Sequence, residues 1–277
     1  MENKSKKILR DIQSEADTRE IPLQKVGVRG LQYPVQVLDK VNKTQQTTAT
    51  VDLFVNLPHH YKGTHMSRFI EIFHKHHGDL TMKHFLEMLD EIRGSLSAQY
   101  AYGTVTFPFF MEKKAPVSGE AGIMSYTCSY EGSVGGNLRN FFISIAVPVT
   151  TLCPCSKAIS DYGAHNQRGI VRVKLLYSDF FWIEDVITMI EGCASGGLYS
   201  VLKRRDEKWV TEHAYDNPRF VEDVVREVYL GLRAFPVGKP FAWFSVEAEN
   251  FESIHNHNAY ARTEYGVRPI SQEGYTE

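Results

Sequence analysis

Residues 138–177 read LRNFFISIAVPVTTLCPCSKAISDYGAHNQRGIVRVKLLY. Its two ends, 138–149 and 169–177, are rich in β-branched and apolar residues and predict strands. Strands that arrive in adjacent pairs with short connections favour an antiparallel sheet over a parallel, doubly wound one. The polar loop between them carries Cys153, Cys155 and His165, with Lys157, Asp161 and Arg168 beside them. Pro148 and Pro154 are expected to stop regular pairing, and Gly163 permits an unusual backbone angle. A thiolate and an imidazole are ligands that a borderline-soft divalent ion prefers. Two thiols and a histidine in one polar loop therefore mark a metal or thiol site. The competing reading is two partly buried thiols and a surface histidine. If strand-like alternation runs through the loop, Cys153 and Cys155 face one cavity.

The first half of the chain follows the same plan. Residues 33–38 and 48–57 predict strands, the first at an edge because Pro34 cannot donate to a ladder. Phe69, Ile70, Phe73 and His77 have helical spacing, with Gly78 as the stop. Thr81 is placed to cap a second helix with Phe85, Leu86, Leu89 and Ile92 on one face, ending before Gly94. Residues 100–110 and 122–130 predict two more strands. In the second half, residues 182–194 predict a helix with Ile183, Val186, Ile187 and Ile190 on one side. Asn217 and Pro218 predict the cap and first position of another, which carries Phe220, Val221, Val224, Val228 and Leu232. Residues 241–251 alternate as a strand. Each half thus reads strand, strand, helix, helix, strand, strand, with the last pair of the second half less distinct.

The expected class is α+β: two antiparallel sheets, each covered on one face by a helix pair. Residues 1–30 are polar and weakly periodic, and predict a mobile arm or one ordered by a partner subunit. The modules are expected at 31–134 and 135–277, the second holding the loop 148–168.

Composition excludes several classes. The 277 residues are 43% hydrophobic and 23% charged, an ordinary globular balance. A net charge of -2 gives no electrostatic case for nucleic acid. Four cysteines do not make a disulfide scaffold in a chain this long. The first twenty residues are charged and lack the apolar core of a signal peptide, and no apolar run is long enough to span a membrane. The expected compartment is the reducing cytoplasm, which keeps both loop thiols available. No glycine-rich phosphate loop of Rossmann or Walker type occurs.

Three other polar clusters stand out. Residues 202–213, LKRRDEKWVTEH, concentrate Lys203, Arg204, Arg205 and Lys208 with Glu207 and Glu212. They read as a solvated connection between helices or as a cationic group suited to a triphosphate. Residues 246–262, VEAENFESIHNHNAYAR, bring Glu247, Glu249, Glu252, His255 and His257 to a strand end, where imidazole suits acid/base work or the whole is a polar turn. Glu222 lies on a helix face, where glutamate is usually just solvated. The segment PHHYKGTHMSR places Lys62 and Arg68 among three histidines, an arrangement open to an anion.

TLCPCSKAISDYGAHNQR resembles the signature of the type IB GTP cyclohydrolases, the prokaryotic enzymes that open folate synthesis. LPHHYKGTHMSRF, LKRRDEKWVTEHAYDNPRFVED and VEAENFESIHNHNAYAR resemble the same family in the same order, over roughly residues 10–270. The resemblance implies a tandem tunnelling fold, each module an antiparallel four-stranded sheet with two helices on one face. It also implies a homotetramer with active sites at subunit interfaces. Cys153 and His165 match the family's metal ligands, and Glu207 the third, with Glu212 as the alternative. Cys155 matches the catalytic thiol, and Glu222 the glutamate that anchors the purine edge. Glu252 and His255 resemble the acid/base pair, with His257 the less favoured neighbour. Lys62, Arg68, Lys203 and Arg204 are candidates for the triphosphate.

The activity implied is conversion of GTP and water to 7,8-dihydroneopterin triphosphate and formate, with zinc, manganese or iron as the divalent ion. The rivals are a tunnelling-fold nitrile reductase and a non-catalytic metal- or purine-binding protein. The Cys-Pro-Cys loop with His165 weighs against the first.

Overall fold

The computed structural model describes residue 13 and residues 16–269. Its first half runs β1 (Leu23–Asp39), β2 (Lys43–Leu57), α1 (Met66–His76), α2 (Met82–Ser95), β3 (Ala101–Lys114) and β4 (Ala121–Gly135). Its second half runs β5 (Leu138–Leu152), α3 (Pro154–Ile159), β6 (Asn166–Leu176), α4 (Ile183–Cys193), β7 (Gly196–Gly197), α5 (Arg204–Asp216), α6 (Val221–Arg233), β8 (Trp243–Asn250) and β9 (Ala259–Gly266). The chain is α+β, and every strand pairing is antiparallel.

The two expected sheets are one. The strand order is β1-β2-β3-β4-β5-β6-β8-β9, with β7 paired to β5. The halves join because β4 and β5 pair from Thr127↔Ala146 to Gly135↔Leu138. Gly135 and Gly136 make the turn at φ 127 and 55. A Cβ on Gly135 would lie 2.1 Å from the Gln99 carbonyl oxygen, so only glycine fits.

Strand alternation decides which face is apolar. Val51, Leu53 and Val55 of β2, Val105, Phe107 and Phe109 of β3, and Ile143, Ile145 and Val147 of β5 are all buried. They form one core with Phe69, Phe73, Phe85 and Leu89 from α1 and α2, and with Val186, Ile190, Val224 and Val228 from α4 and α6. Burying each such side chain contributes about 1.5–3 kcal/mol, so the core outweighs the weak local propensity of any one helix. Gly103 and Gly132 stand opposite each other in β3 and β4. A Cβ on either would lie within 2.8 Å of Leu89 or Phe85, so the pair lets α2 approach the sheet closely.

Several local expectations change. Residues 1–30 are not all arm: β1 begins at Leu23, because Val26 and Val28 continue the pairing with β2. Residues 1–12, 14 and 15 lie outside the described residues. Near them, the Asp17 N–H donates to the His60 carbonyl at 3.2 Å, and Gly63 donates to Gln13 at 3.1 Å. Gln13 and Asp17 thus bond to the loop after β2 of their own chain. Pro148 does not stop pairing; it sits in β5 opposite Ile170. On the other edge β5 leaves β4 after Ala146 and meets β7 from Val149 onward, so a residue without an N–H is tolerated between them. Helix α2 runs through Gly94 to Ser95. Residues 202–213 are not a bare connection but mostly helix α5. Asn217 closes α5, and its side chain donates to the Ala194 carbonyl at 3.0 Å; the following helix therefore starts later, capped at Phe220.

Candidate active site

The β5–β6 ladder ends at Thr151↔Gln167 and Leu152↔Asn166. One step further, the Cys153 N–H donates to the His165 carbonyl at 3.1 Å and closes the reactive loop at its base. In this ladder, residues two apart share a face, so the odd-numbered positions of both strands continue the core face toward the loop. Val149 and Gly169 are buried, then Thr151 and Gln167, and Cys153 and His165 follow half-buried. The apolar core thus gives way to a polar pair and then to the two donors.

Pro154 starts α3, with Cys153 as its N-cap. The Cys153 sulfur accepts from the Ser156 N–H at 3.5 Å. The Ser156 hydroxyl donates to the Cys153 carbonyl and accepts the His165 N–H, both at 3.2 Å, which pins the two sides of the loop together. Because this turn is helical, strand alternation does not reach Cys155, which is exposed where Cys153 is half-buried. The two thiols are therefore already distinct.

Other segments close on the loop. The Leu152 N–H donates to the buried Ser195 hydroxyl at 3.0 Å. The Arg219 N–H donates to the Leu152 carbonyl at 3.1 Å, so the turn between α5 and α6 abuts the end of β5. Lys157 donates to the Tyr215 carbonyl and lies 4.3 Å from the centre of its ring. The Phe251 N–H donates to the Arg168 carbonyl at 2.9 Å, and the Ser253 hydroxyl lies 3.5 Å from His165 Nδ1. The loop after β8 therefore sits against His165, and it carries Glu252 and His255. The His255 and His257 rings stack with centroids 5.0 Å apart, both exposed.

The remaining candidates stand apart. Among the described residues, no three of His, Cys, Asp or Glu are grouped to hold a metal ion, so Glu207 does not converge with Cys153 and His165. Glu207 is exposed on the first turn of α5, and Glu212, the alternative, pairs with Lys208. Glu222, in the first turn of α6, lines a cleft of about 500 Å³ with Arg226, Tyr229 and Arg262. Lys203 and Arg204 are exposed at the start of α5. Arg68 donates to the Ser95 carbonyl at 2.6 Å, and Lys62 lies in the loop after β2. Cys153 and His165 thus fit two donors of a divalent ion's set, while the third is not gathered with them.

Sequence reasoning missed Asp206, which is fully buried. It accepts the Val117 and Ser118 N–H groups at 2.8 and 2.7 Å, the Ser118 hydroxyl at 2.6 Å and the Lys203 N–H at 2.9 Å. Burial raises its pKa, but these hydrogen bonds outweigh burial and hold the carboxyl well below the usual carboxylate range. Asp206 fixes the start of α5, and so the position of Glu207, against the β3–β4 turn. It also missed Gln167 and Thr151, although their spacing from His165 and Cys153 already placed them on one face.

The family model for type I GTP cyclohydrolase FolE2 matches residues 9–261. The chain belongs to this family. The GTP cyclohydrolase FolE2 of Syntrophus aciditrophicus (strain SB) is 52% identical over 254 residues, covering 92% of this chain and 98% of that one. The FolE2 of Geobacter sulfurreducens is 51% identical over 258 residues, covering 93% and 98%. That of Fervidobacterium nodosum is 50% identical over 254 residues, covering 92% and 96%. A solved uricase from Arthrobacter globiformis superposes with a TM-score of 0.49 at 7% identity, covering 90% of this chain and 95% of that one, too distant to bear on function. The family match spans β1 to β8 and includes the Cys153–His165 loop, α5 and α6.

Proposed function

We propose that this chain converts GTP and water to 7,8-dihydroneopterin triphosphate and formate, the first step of tetrahydrofolate synthesis. The observation that carries this reading is family membership over residues 9–261, joined to the pairing of Cys153 and His165 at the end of β5 and β6. Cys153 and His165 would hold a zinc, manganese or iron ion; Glu207, the third ligand on this reading, would have to be brought to them from its exposed place on α5. When bound, the ion supplies Lewis acidity and activates water at neutral pH.

The chain's own residues do the rest. Glu222 binds the guanine edge through its two carboxylate oxygens. Water adds at carbon 8, and a proton delivered to nitrogen 7 by His255 or the Cys155 thiol makes that carbon electrophilic. Glu252, beside His255, returns the proton. Opening of the imidazole ring, a second hydration and release of formate follow, and the ribose carbons close the pterin ring without redox change. Lys62, Arg68, Lys203 and Arg204 take the triphosphate.

Exposure of Cys155, Glu207, Glu222 and His255 in one chain supports an assembly in which a second subunit encloses the substrate. The reading is a homotetramer of tandem tunnelling-fold modules, the first now beginning at β1 (Leu23) and ending at 134 and the second spanning 135–277, with interface active sites. No helix among the described residues is long and apolar enough to cross a membrane, and the proposed compartment is the cytoplasm. The test is incubation of metal-reconstituted protein with GTP and mass analysis of the product. Dihydroneopterin triphosphate with one equivalent of formate is expected; no formate with any of the three metals overturns the reading.

A further inference from the structure

Gln167 is buried at the start of β6, directly opposite Thr151 of β5. Both ends of its amide are used. Its Nε2 donates to the Thr151 hydroxyl at 2.9 Å, and its Oε1 lies 3.0 Å from His165 Nδ1. Thr151 is itself fully buried, so the amide cannot swing away without breaking the last rung of polar pairing. An amide oxygen only accepts, so with Oε1 turned toward the ring, as here, the partner nitrogen carries the proton. Neutral imidazole has one N–H; if it lies on Nδ1, then Nε2 is the lone-pair donor. The Ser253 hydroxyl, at 3.5 Å and exposed, is the weaker contact to the same nitrogen.

We infer that Gln167 is a positioning residue that fixes the His165 tautomer and ring orientation, with Thr151 holding Gln167, so that Nε2 is presented to the metal ion. This rests on the reading of His165 as a metal ligand. The geometry supplies the reason for a buried glutamine where the core face ends. Groups that receive the second N–H of a ligating histidine orient the ring and raise its basicity, and removing one typically lowers metal affinity 10–100-fold.

The experiment uses the full chain in its native assembly. Zn²⁺ affinity is measured by competition with a chromophoric chelator, and the His165 tautomer by ¹⁵N–¹H correlation in the metal-free protein. Gln167→Ala is expected to weaken Zn²⁺ binding about 10–100-fold and to replace the Nδ1–H form with a mixture. Gln167→Glu keeps an acceptor and is expected to restore affinity and tautomer. Wild-type affinity and an unchanged tautomer in Gln167→Ala overturn the inference. If Gln167→Ala fails to fold, Gln167→Met keeps the volume, lacks the amide oxygen and carries the same two readouts. His165→Ala separates the two levels. If it keeps wild-type affinity, the metal reading itself fails; if it loses the metal while Gln167→Ala does not, only the positioning role fails.

Discussion

The Cys153 N–H donates to the His165 carbonyl at 3.1 Å, which makes these two residues neighbours across the base of a loop that separates them in sequence. A donor pair held by backbone needs no partner to assemble it. Cys153→Ala and His165→Ala are each expected to lose metal and activity together. The check is metal content per subunit after gel filtration. A full equivalent with normal turnover in either variant would remove these residues from the ligand set.

Cys155 is exposed and separated from Cys153 by the start of α3, so the two thiols have different surroundings. Cys155→Ser is expected to retain metal and lose most turnover. In the metal-free protein, iodoacetamide is expected to label Cys155 ahead of Cys153, and bound GTP to protect it. Peptide mapping reads both outcomes; loss of metal from Cys155→Ser would contradict the division of roles.

Glu222→Ala is expected to weaken GTP binding about 10–100-fold, the worth of a charge-assisted hydrogen bond, with metal content unchanged. Glu222→Gln keeps the shape but has only one acceptor oxygen and no charge. Equilibrium binding of a slowly hydrolysed GTP analogue is the measurement. Unchanged affinity in both variants would return Glu222 to a solvated helix face.

Asp206→Ala removes the acceptor for three hydrogen bonds that tie α5 to the β3–β4 turn and for a fourth, from the Lys203 N–H, that caps the helix. The N–H groups of Val117 and Ser118 are then left without their partner. A fall of several degrees in Tm is expected, with Asp206→Asn intermediate because it keeps one acceptor. A thermal melt of the three proteins decides it.

Glu184 is buried, and its Oε2 has no hydrogen-bond partner among the described residues, while Oε1 accepts the Lys40 N–H at 2.7 Å. Burial pushes its pKa above the ordinary 4.5. Below that ordinary value the group is protonated in both folded and unfolded chains and carries no penalty. As pH rises from there through the raised folded value, stability falls and then levels off. Glu184→Gln is expected to flatten this part of the curve of Tm against pH. An identical decline in both proteins would show that Glu184 does not carry it.

Much of the fold was legible because alternation and turn chemistry are local. Pro34 marked β1 as an edge strand, and it is one. The aromatic and β-branched run at 100–110 lies in β3 from Ala101 onward. What misled was also local. Asn217 looked like a cap, but the Ala194 carbonyl takes its side chain, and no spacing rule foresees a partner from another helix. Pro148 looked like a break, because only the tertiary pairing shows that one edge of β5 is vacant there.

The sequence by itself determined the strand, strand, helix, helix, strand, strand order of the first half, the face each strand buries and the loop in which Cys153, Cys155 and His165 meet. These follow from short-range periodicity and residue chemistry. Tertiary structure decided that the two halves share one sheet, since a β4–β5 ladder depends on both strands at once. It also decided that Glu207 stands apart from Cys153 and His165, and that Gln167 and Thr151 lie behind His165. Register sets those relationships, and register is a property of paired strands that neither strand carries alone.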